Sequence, residues 1–428
     1  MGRMLSDNQL STIARAVKGA NTFDVAVLED ERTGHGAGEV YYATYQPGTA
    51  QVPYSAIVML IQGVYEAALG FVPKGKICST APPTDMCTGM AQIFGKPCFH
   101  AGTNTAVLPN NLPAYANVTP ANWVTRPALD AFQINALASP NVDVTLEAAS
   151  DDTHQGYATV HRIYMMGAFL LSTQRTLATT GGTINIPGGK NIAAILVSPQ
   201  GRILACGVNT NNQNGTLHGE VNMLQSYYRD NQGTYAGLPD GCRIYTTLEP
   251  CAMCAGMIYR AGGAHGNYRV YYGQIDPPQL AQQTALSLNN KERLLSHGQT
   301  VSHYTGTGNL TQPRAIPPIA PGGPKAVKVY QKSGLSTYAM THADYSKQLE
   351  TDKVTNFLQL SAADYTKKPA FTSCMTDVAA SLLRKLDRNT NPATALNKAG
   401  KAKTVNQNVL RVVQHVGLFL RSKGVPNF

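Results

Sequence analysis

Two stretches of this chain repeat one phrase in register, and this repeat constrains the fold more than any other feature of the sequence. Residues 77–90 read ICSTAPPTDMCTGM and residues 244–257 read IYTTLEPCAMCAGM, with seven of the fourteen positions identical. The second stretch contains a Cys-x-x-Cys pair, Cys251 and Cys254, whereas the first has Thr84 and Cys87 at the two positions. The repeat predicts two structural units of one kind, of which only the second keeps both thiols.

Length and composition limit the class of protein. With 428 residues, 43% of them apolar, the chain is long enough for two or three globular domains with their own cores. Its eight cysteines are too few for a disulfide scaffold in a chain of this length. The sequence has no uncharged apolar run of about 18 residues, the length that a membrane helix needs. We therefore expect a cytoplasmic protein with reduced thiols and no membrane segment.

Positive charge is concentrated at the C-terminal end. Residues 381–428 carry nine basic residues and one acid, and so contribute +8 to the formal net charge of +10. A basic segment of this kind can bind the phosphates of a nucleic acid. A solvated helical surface without a partner is an equally weighted alternative.

Composition also divides the chain. Residues 101–126 are rich in Asn, Pro and Thr without a sustained period and are interpreted as a long connection, and residues 305–325 are rich in Pro and Gly. Beyond the second stretch, apolar residues recur near helical spacing. The predicted domains are residues 1–125, residues 126–304, a linker at 305–325 and a helical basic region at 326–428.

Between the two linkers, the sequence predicts an alternation of helices and strands. The segments are a helix at 161–178, two strands at 191–197 and 201–208, a helix starting near His218, a strand at 242–248, a helix opened by Pro250, a strand at 268–275 and a helix at 279–288. This order is typical of an α/β fold in which a sheet lies between helices.

Metal-ligating residues stand at the starts of two of these helices. Cys251 and Cys254 are three residues apart, so both sulfur atoms face one side of a helical turn, and His218 supplies a third ligand from the other helix. Three protein ligands leave the fourth zinc position for water, which is typical of a catalytic site. Glu220 then lies near enough to exchange protons with that water. The alternatives are a chance pair of cysteines on a helix or a structural zinc site. A structural site would usually have a fourth Cys or His, and Glu220 would then have no role.

The pattern H-x-E followed by P-C-x-x-C is the signature of zinc-dependent nucleobase deaminases. On these residues, about 160–295 resemble the cytidine and deoxycytidylate deaminase-like superfamily, and TLEPCAMCAGMI is most similar to its tRNA adenosine deaminase and guanine deaminase branch. The resemblance implies a three-layer α-β-α fold, one Zn²⁺ per chain, and Glu220 as the general acid and base. It also implies that Asn209, nine residues before His218, contacts the base. Gly219 departs from the alanine that is usual in the family.

The N-terminal region resembles a degenerate copy of the same fold. Residues 53–66 match the helix that starts at His218, and setting Met59 on Met223 places Tyr54 and Ala56 where the histidine ligand and the acid stand. A copy with these residues lacks the zinc ligands. The alternative for this region is a chance similarity, or an unrelated metal site formed by Cys78, Cys87, Cys98 and His100.

The sequence therefore predicts tandem three-layer α-β-α domains, the first of them degenerate, followed by a helical basic segment. The predicted activity is hydrolytic deamination of a nucleobase in single-stranded nucleic acid, with adenosine in RNA favoured and cytosine next. A free base or nucleoside, such as guanine or cytosine, is the alternative substrate, and a zinc-containing binding module without activity is a third interpretation. A homo-oligomer is left open. Several tyrosines near the site are candidates for stacking on flanking bases, although most are expected in the core: Tyr227, Tyr228, Tyr259, Tyr271 and Tyr272.

Overall fold

A computed structural model of the chain describes about half of its residues. These are residues 5–29, 40–48, 53–67, 75–93, 97–102, 104–108, 115–120, 137–142, 144, 163–165, 167–168, 170–172, 192–211, 214–231, 237–248, 250–262, 268–274, 284–286, 313–315 and 407–425. The N-terminal unit contains α1 (Asp7–Lys18), β1 (Asp24–Glu29), β2 (Val40–Tyr45), α2 (Ala56–Ala67), β3 (Ile77–Ser79), α3 (Asp85–Ile93), β4 (Cys98–His100) and β5 (Tyr115–Asn117). The C-terminal unit contains β6 (Ala193–Val197), β7 (Ile203–Val208), α4 (Gly219–Asp230), β8 (Arg243–Leu248), α5 (Ala252–Gly262), β9 (Arg269–Gln274), β10 (Pro313–Ala315) and α6 (Gln407–Ser422).

The two units contain sheets with the same arrangement of four strands. In the N-terminal unit, β1 pairs antiparallel with β2 and with β3, and β3 pairs parallel with β4. In the C-terminal unit, β6 pairs antiparallel with β7 and with β8, and β8 pairs parallel with β9. The sheet orders are β4-β3-β1-β2-β5 and β10-β9-β8-β6-β7, so they differ only in where the fifth strand joins. The predicted α/β class is confirmed.

Helices cover both faces of the N-terminal sheet because the apolar residues of β1 alternate between them. Val25 and Val27 lie in one buried cluster with α1, and Ala26 and Leu28 lie in a second cluster with α2 and α3. The second cluster continues into the C-terminal unit, where it includes residues of β6, α4 and α5. The helices α2, α3, α4 and α5 therefore share one core between the two sheets.

A threonine of the repeated phrase has the same role in both sheets. The Thr80 hydroxyl accepts a hydrogen bond from the Val25 backbone N–H at 2.9 Å, and the Thr247 hydroxyl accepts one from the Ala193 N–H at 3.1 Å. Each bond ties the end of one strand to the start of the first strand of its unit. The repeated threonine is thus explained by the sheet and not by metal binding.

The helices that follow the repeated strands pack directly on each other. A Cβ atom at Gly89 of α3 would lie 2.3 Å from the carbonyl oxygen of Ala252, and one at Gly256 of α5 would lie 2.5 Å from that of Asp85. Contacts of residue 89 with 252 and of residue 256 with 85 show that the two helices run antiparallel. The glycine that both copies of the phrase keep is therefore required by close backbone approach.

We expect Gly256→Ala to destabilise the protein although alanine is the better helix former. The gain in helix propensity is about 1 kcal/mol, whereas overpacking against backbone atoms costs about 1–3 kcal/mol or more. Gly417→Ala in α6 is the matched control, because among the described residues its Cβ would meet Arg421 Nη2 at 3.6 Å, an ordinary contact with the end of a flexible side chain. Thermal unfolding should show a lower Tm for Gly256→Ala and an equal or higher Tm for Gly417→Ala. Equal effects of the two substitutions would contradict the close packing of α3 on α5.

Short edge strands were missed by sequence reasoning. Residues 115–117, inside the predicted connection, form β5 and pair parallel with β2, and residues 313–315, inside the predicted linker, form β10 and pair parallel with β9. Pro313 is compatible with this place because it is the first residue of an edge strand. Of the helix predicted at 279–288, residues 284–286 are described and include a turn instead of a helix. The described residues between 163 and 172 are helical, as predicted.

The C-terminal helix α6 packs on the C-terminal unit through an apolar face. Val412, Val416 and Phe419 are buried, whereas Arg411 and Arg421 are exposed. His415 is buried on the same face, and its Nε2 accepts a hydrogen bond from the Ile203 backbone N–H at 3.0 Å. Residues 381–406 of the basic segment lie outside the described residues. No helix in the described part of the chain combines the length and the apolar composition needed to cross a membrane.

The pKa of His415 is lowered to about 4, mainly by burial and to a smaller extent by nearby Arg202, against the opposing hydrogen bond to the Ala138 backbone. The folded state therefore favours neutral His415, and its contribution to stability is present above pH about 6.5, the ordinary histidine pKa. That contribution decreases as the pH falls toward 4. Between pH 7 and 5, we expect His415 to cost about 2 kcal/mol of unfolding free energy. Urea unfolding of wild type and His415→Gln should show this difference, and equal pH dependence of the two would refute it.

Candidate metal centre and active site

His218 is placed by the start of α4. It is the N-cap residue, with extended backbone dihedrals (φ −71°, ψ 162°), and its side chain makes no capping hydrogen bond. Its Nδ1 instead lies 3.7 Å from Cys251 Sγ and 3.5 Å from Cys254 Sγ. The three residues therefore meet, as the spacing predicted.

The two cysteines are placed by the start of α5. Cys251 precedes the helix and Cys254 lies in its first turn, where the Ala255 N–H donates to the Cys251 carbonyl at 2.8 Å. Both side chains are buried. The hydrogen bond from Cys254 lowers the pKa of Cys251, and His218 acts in the same direction. A thiol that ionises readily is suited to metal binding.

The spacing of the three ligand atoms fits a tetrahedral zinc ion. Zinc–sulfur and zinc–nitrogen bonds of about 2.3 and 2.0–2.1 Å place the nitrogen about 3.6 Å from each sulfur in that geometry. The two distances observed here, 3.5 and 3.7 Å, bracket this value. His218, Cys251 and Cys254 form the one group of this kind found among the described residues, with all ligand atoms within 4.8 Å of one another.

Glu220 lies beside this group in the first turn of α4 and is buried. Its Oε1 accepts a hydrogen bond from the Thr246 hydroxyl at 2.7 Å, and its Oε2 accepts one from Cys254 Sγ at 3.4 Å. Burial raises the pKa of Glu220, while the charge of His218 and the Thr246 hydrogen bond oppose the rise. The carboxyl group is thus held in one orientation beside His218 and the two cysteines.

Thr246 is a site residue that sequence reasoning missed. It lies on β8, is fully buried, and its hydroxyl also lies 3.1 Å from the Leu248 carbonyl oxygen. The hydroxyl therefore connects the strand end to the carboxylate of Glu220. Its neighbour Thr247 is the threonine that both copies of the phrase share. Because Thr246 has no identical counterpart in the first copy, the repeat gave no signal for its contact with Glu220.

Asn209 follows β7 directly and is buried. Its backbone N–H donates to the Ile192 carbonyl at 2.8 Å, and its Oδ1 accepts a hydrogen bond from the Asn211 N–H at 3.1 Å. The predicted contact of Asn209 with a base stays a prediction. Asn222, which sequence reasoning missed, holds the loop that begins here, because its Nδ2 donates to the Val208 carbonyl at 2.7 Å.

The N-terminal unit has a related group of side chains at the equivalent place. Helix α2 begins one residue after Ser55, as α4 begins one residue after His218. Ser55 Oγ and Thr84 Oγ1 each lie 3.2 Å from Cys87 Sγ. The alignment that set Met59 on Met223 is therefore wrong by one residue, since Ser55, and not Tyr54, stands at the histidine position. Ile57, and not Ala56, stands at the position of the glutamate.

Two of the tyrosines considered for stacking on bases are core residues. Tyr259 and Tyr271 are 3% exposed, and Tyr271 stacks on Tyr245 with ring centroids 5.1 Å apart, so neither presents a free face to a base. Cys206 and Cys242 are buried in the sheet region and pack there as thiols. His265 and the side chain of Tyr272 lie outside the described residues.

Part of the C-terminal unit is similar to known deaminases. Residues 188–297 match the family model described as Bd3614-like deaminase. A cytosine deaminase from Candida albicans is 38% identical over 77 residues, which are 18% of this chain and 49% of that protein. The chain therefore spans about half the length of this curated relative.

Two solved structures are also similar. One comes from biochemical and structural studies of A-to-I editing by tRNA:A34 deaminases at the wobble position of transfer RNA. It is 26% identical, with a TM-score of 0.20, and the match covers 29% of this chain and 80% of that one. The other, a protein in complex with 2,6-diaminopurine, is 22% identical, with a TM-score of 0.18, and the match covers 21% and 47% of the two chains.

Proposed function

We propose that this chain, which carries a domain of the cytidine deaminase-like superfamily in residues 188–297, is a zinc-dependent enzyme that removes an exocyclic amine from a nucleobase by hydrolysis. The observation that carries the proposal is the convergence of His218 Nδ1 with two cysteine sulfurs, with the Glu220 carboxylate hydrogen-bonded at their edge. A structural zinc site does not require this carboxylate. Ammonia release that depends on bound metal is the test.

His218, Cys251 and Cys254 would hold the zinc ion, which supplies a Lewis acid that makes water a nucleophile at neutral pH. Glu220 accepts a proton from the attacking water and donates it to the ring nitrogen. It then transfers the second proton to the leaving amine, so that the base and water become a carbonyl and ammonia. Thr246 keeps the Glu220 carboxylate oriented for both transfers. The amide of Asn209 contacts the base in this proposal.

We also propose that the N-terminal unit is a degenerate copy of the deaminase fold. The common strand order, the matching hydrogen bonds of Thr80 and Thr247, and the reciprocal Gly89 and Gly256 contacts support this proposal. Neutral hydroxyl groups at Ser55 and Thr84 are poor zinc ligands. The proposed copy therefore provides structure and leaves catalysis to the C-terminal unit.

Contacts across the shared core suggest what this copy does for the active site. Asn214 Nδ2 donates a hydrogen bond to the backbone carbonyl of Gln62 at 3.1 Å. Gln225 Nε2 donates one to the side-chain oxygen of the same residue, Gln62 Oε1, also at 3.1 Å. Asn214 Oδ1 also accepts from the Thr216 N–H at 3.2 Å, two residues before His218. All four residues are buried. Helix α2 thus holds the loop that connects Asn209 with the metal ligand, and we propose that the N-terminal unit stabilises the active site in this way.

The favoured substrate is a base in single-stranded nucleic acid, with adenosine in RNA first and cytosine next. The +8 charge of residues 381–428 supports a polyanionic substrate. A free base or nucleoside is the second candidate. Among the free bases, the similarity to a cytosine deaminase favours cytosine. Guanine is a further candidate, because TLEPCAMCAGMI is similar to both tRNA adenosine and guanine deaminases.

Exposed arginines of α6 allow a test of strand binding without removing the helix, whose apolar face is buried. Arg411→Gln with Arg421→Gln should weaken binding of a single-stranded RNA. Each phosphate contact contributes about 0.7 to the slope of log K against log salt concentration for a single strand. Loss of the two arginine contacts should therefore make the slope shallower by about 1.4. Lys76→Gln, an exposed cation of the N-terminal unit, is the control. No strand binding at low salt, together with salt-independent deamination of a free base, would favour the second candidate.

A further inference from the structure

A cavity of about 100 Å³ lies in the N-terminal unit at the counterpart of the metal centre. Its lining includes the starts of α2 and α3, the end of β2 and one residue of the C-terminal unit. The aromatic and polar residues of the lining include Tyr45, Tyr54, Ser55, Thr84, Cys87 and Arg260. The loss of the metal ligands has therefore left an open space and not a filled core.

The polar groups of this cavity are unsuited to a metal but suited to hydrogen bonding. The hydroxyls of Ser55 and Thr84 both contact Cys87 Sγ at 3.2 Å, so one thiol and two neutral hydroxyls stand where two thiols and an imidazole would be needed. Each hydroxyl can donate and accept hydrogen bonds. The Tyr54 ring packs edge-on against Tyr228 with centroids 5.4 Å apart, which fixes the aromatic wall.

Arg260 distinguishes this cavity from the metal centre. The antiparallel packing of α3 on α5 brings the last turn of α5 to the first turn of α3, and Arg260 thereby lines the cavity. The corresponding residue of α3, in the register of the repeated phrase, is Ile93. Asp24 also lines the cavity and pairs with Lys18 at 3.3 Å. A lining with both charge signs and several hydroxyls fits a neutral ring that has donors and acceptors on its edge.

We propose that this cavity binds one nucleobase, with its ring against the tyrosines and its polar edge toward Ser55, Thr84 and Arg260. The cavity of about 100 Å³ is smaller than the apolar cavity of about 150 Å³ that encloses benzene, but it opens to solvent, so a base would enter it by one edge while its far edge projects outward. Stacking on aromatic side chains and hydrogen bonds to the ring edge are the usual means of holding an unpaired base. The base comes from the substrate strand or is free in solution.

The test uses the full chain with Glu220→Gln, so that a bound base is not consumed. Equilibrium dialysis with adenine, guanine and cytosine should give two sites per chain for at least one base. Adding Arg260→Met, which keeps the apolar stem of the side chain, should weaken one site at least tenfold. Ala81→Phe, which places a large side chain in the cavity, should also weaken that site at least tenfold. Lys76→Met, an exposed position outside the cavity, should leave both affinities unchanged.

Each outcome either supports or contradicts binding of a base in this cavity. Two sites unaffected by Arg260→Met and Ala81→Phe, or no site that responds to them, would overturn the proposal. One site that these variants abolish would support the cavity while contradicting the proposed role of the metal centre, so the two failures are distinguishable. A fivefold or greater loss of single-strand affinity in Arg260→Met would assign the base to the strand, and unchanged strand affinity would assign a free base.

Discussion

Glu220→Gln is expected to abolish turnover while the chain keeps its zinc. Glutamine has nearly the same volume, and its amide oxygen can still accept the Thr246 hydrogen bond observed at 2.7 Å. The amide cannot accept a proton from water and return it to the base. General acid–base catalysis contributes about 10²- to 10⁴-fold to rates. The rate of ammonia release should therefore fall by at least about 100-fold. Metal analysis of the same sample should show unchanged zinc.

Glu29→Gln is the matched control for this substitution. Glu29 is a buried glutamate of the N-terminal unit whose Oε2 accepts a hydrogen bond from the Leu5 N–H at 2.8 Å. We expect it to leave the deamination rate of the folded protein unchanged. If Glu220→Gln retained more than a few per cent of the wild-type rate, Glu220 would not be the general acid and base.

Cys251→Ser is expected to remove both zinc and activity. Two of the three ligands would remain, and a serine hydroxyl is not ionised at neutral pH, so metal content should fall from one zinc per chain toward zero. Since metal binding stabilises the folded state, the Tm of the variant should also be lower and should no longer respond to a chelator. His218→Ala should behave in the same way.

Cys87→Ser is the control that the repeated phrase supplies, because Cys87 occupies the position of Cys254 in the N-terminal unit. We expect its zinc content and activity to equal those of the wild type. Two zinc ions per wild-type chain, with one lost in Cys87→Ser, would show that the N-terminal unit is a second metal site and not a degenerate copy.

Local spacing was enough to predict that His218, Cys251 and Cys254 come together in the fold. His218, Cys251 and Cys254 stand at helix starts, where the positions of side chains depend on the first turn of the helix and little else. The strands and the two helices that follow them were likewise predicted from short-range pattern. Roles that depend on chemistry, such as that of Glu220, remain predictions until the variants are measured.

Features that depend on contacts between segments distant in sequence could not be predicted from local spacing. The role of Thr246 requires β8 to pass beside α4, and the need for Gly89 and Gly256 arises only when α3 meets α5. The three-residue strands β5 and β10 exist because a neighbouring strand offers its edge, and their own sequences carry no period. The one-residue error at Ser55 arose because Met59 was used to align a helix that is buried along most of its length.

Ammonia release by the zinc-loaded full chain tests the proposed function most directly. The substrates are single-stranded RNA and DNA containing adenosine and cytidine, and free adenine, guanine and cytosine with their nucleosides, each also assayed with Glu220→Gln. We predict one ammonia per base converted for at least one substrate, and none above background from the variant. Folded, zinc-loaded protein that releases no ammonia from any of them would contradict the proposed activity and favour a zinc-containing binding module.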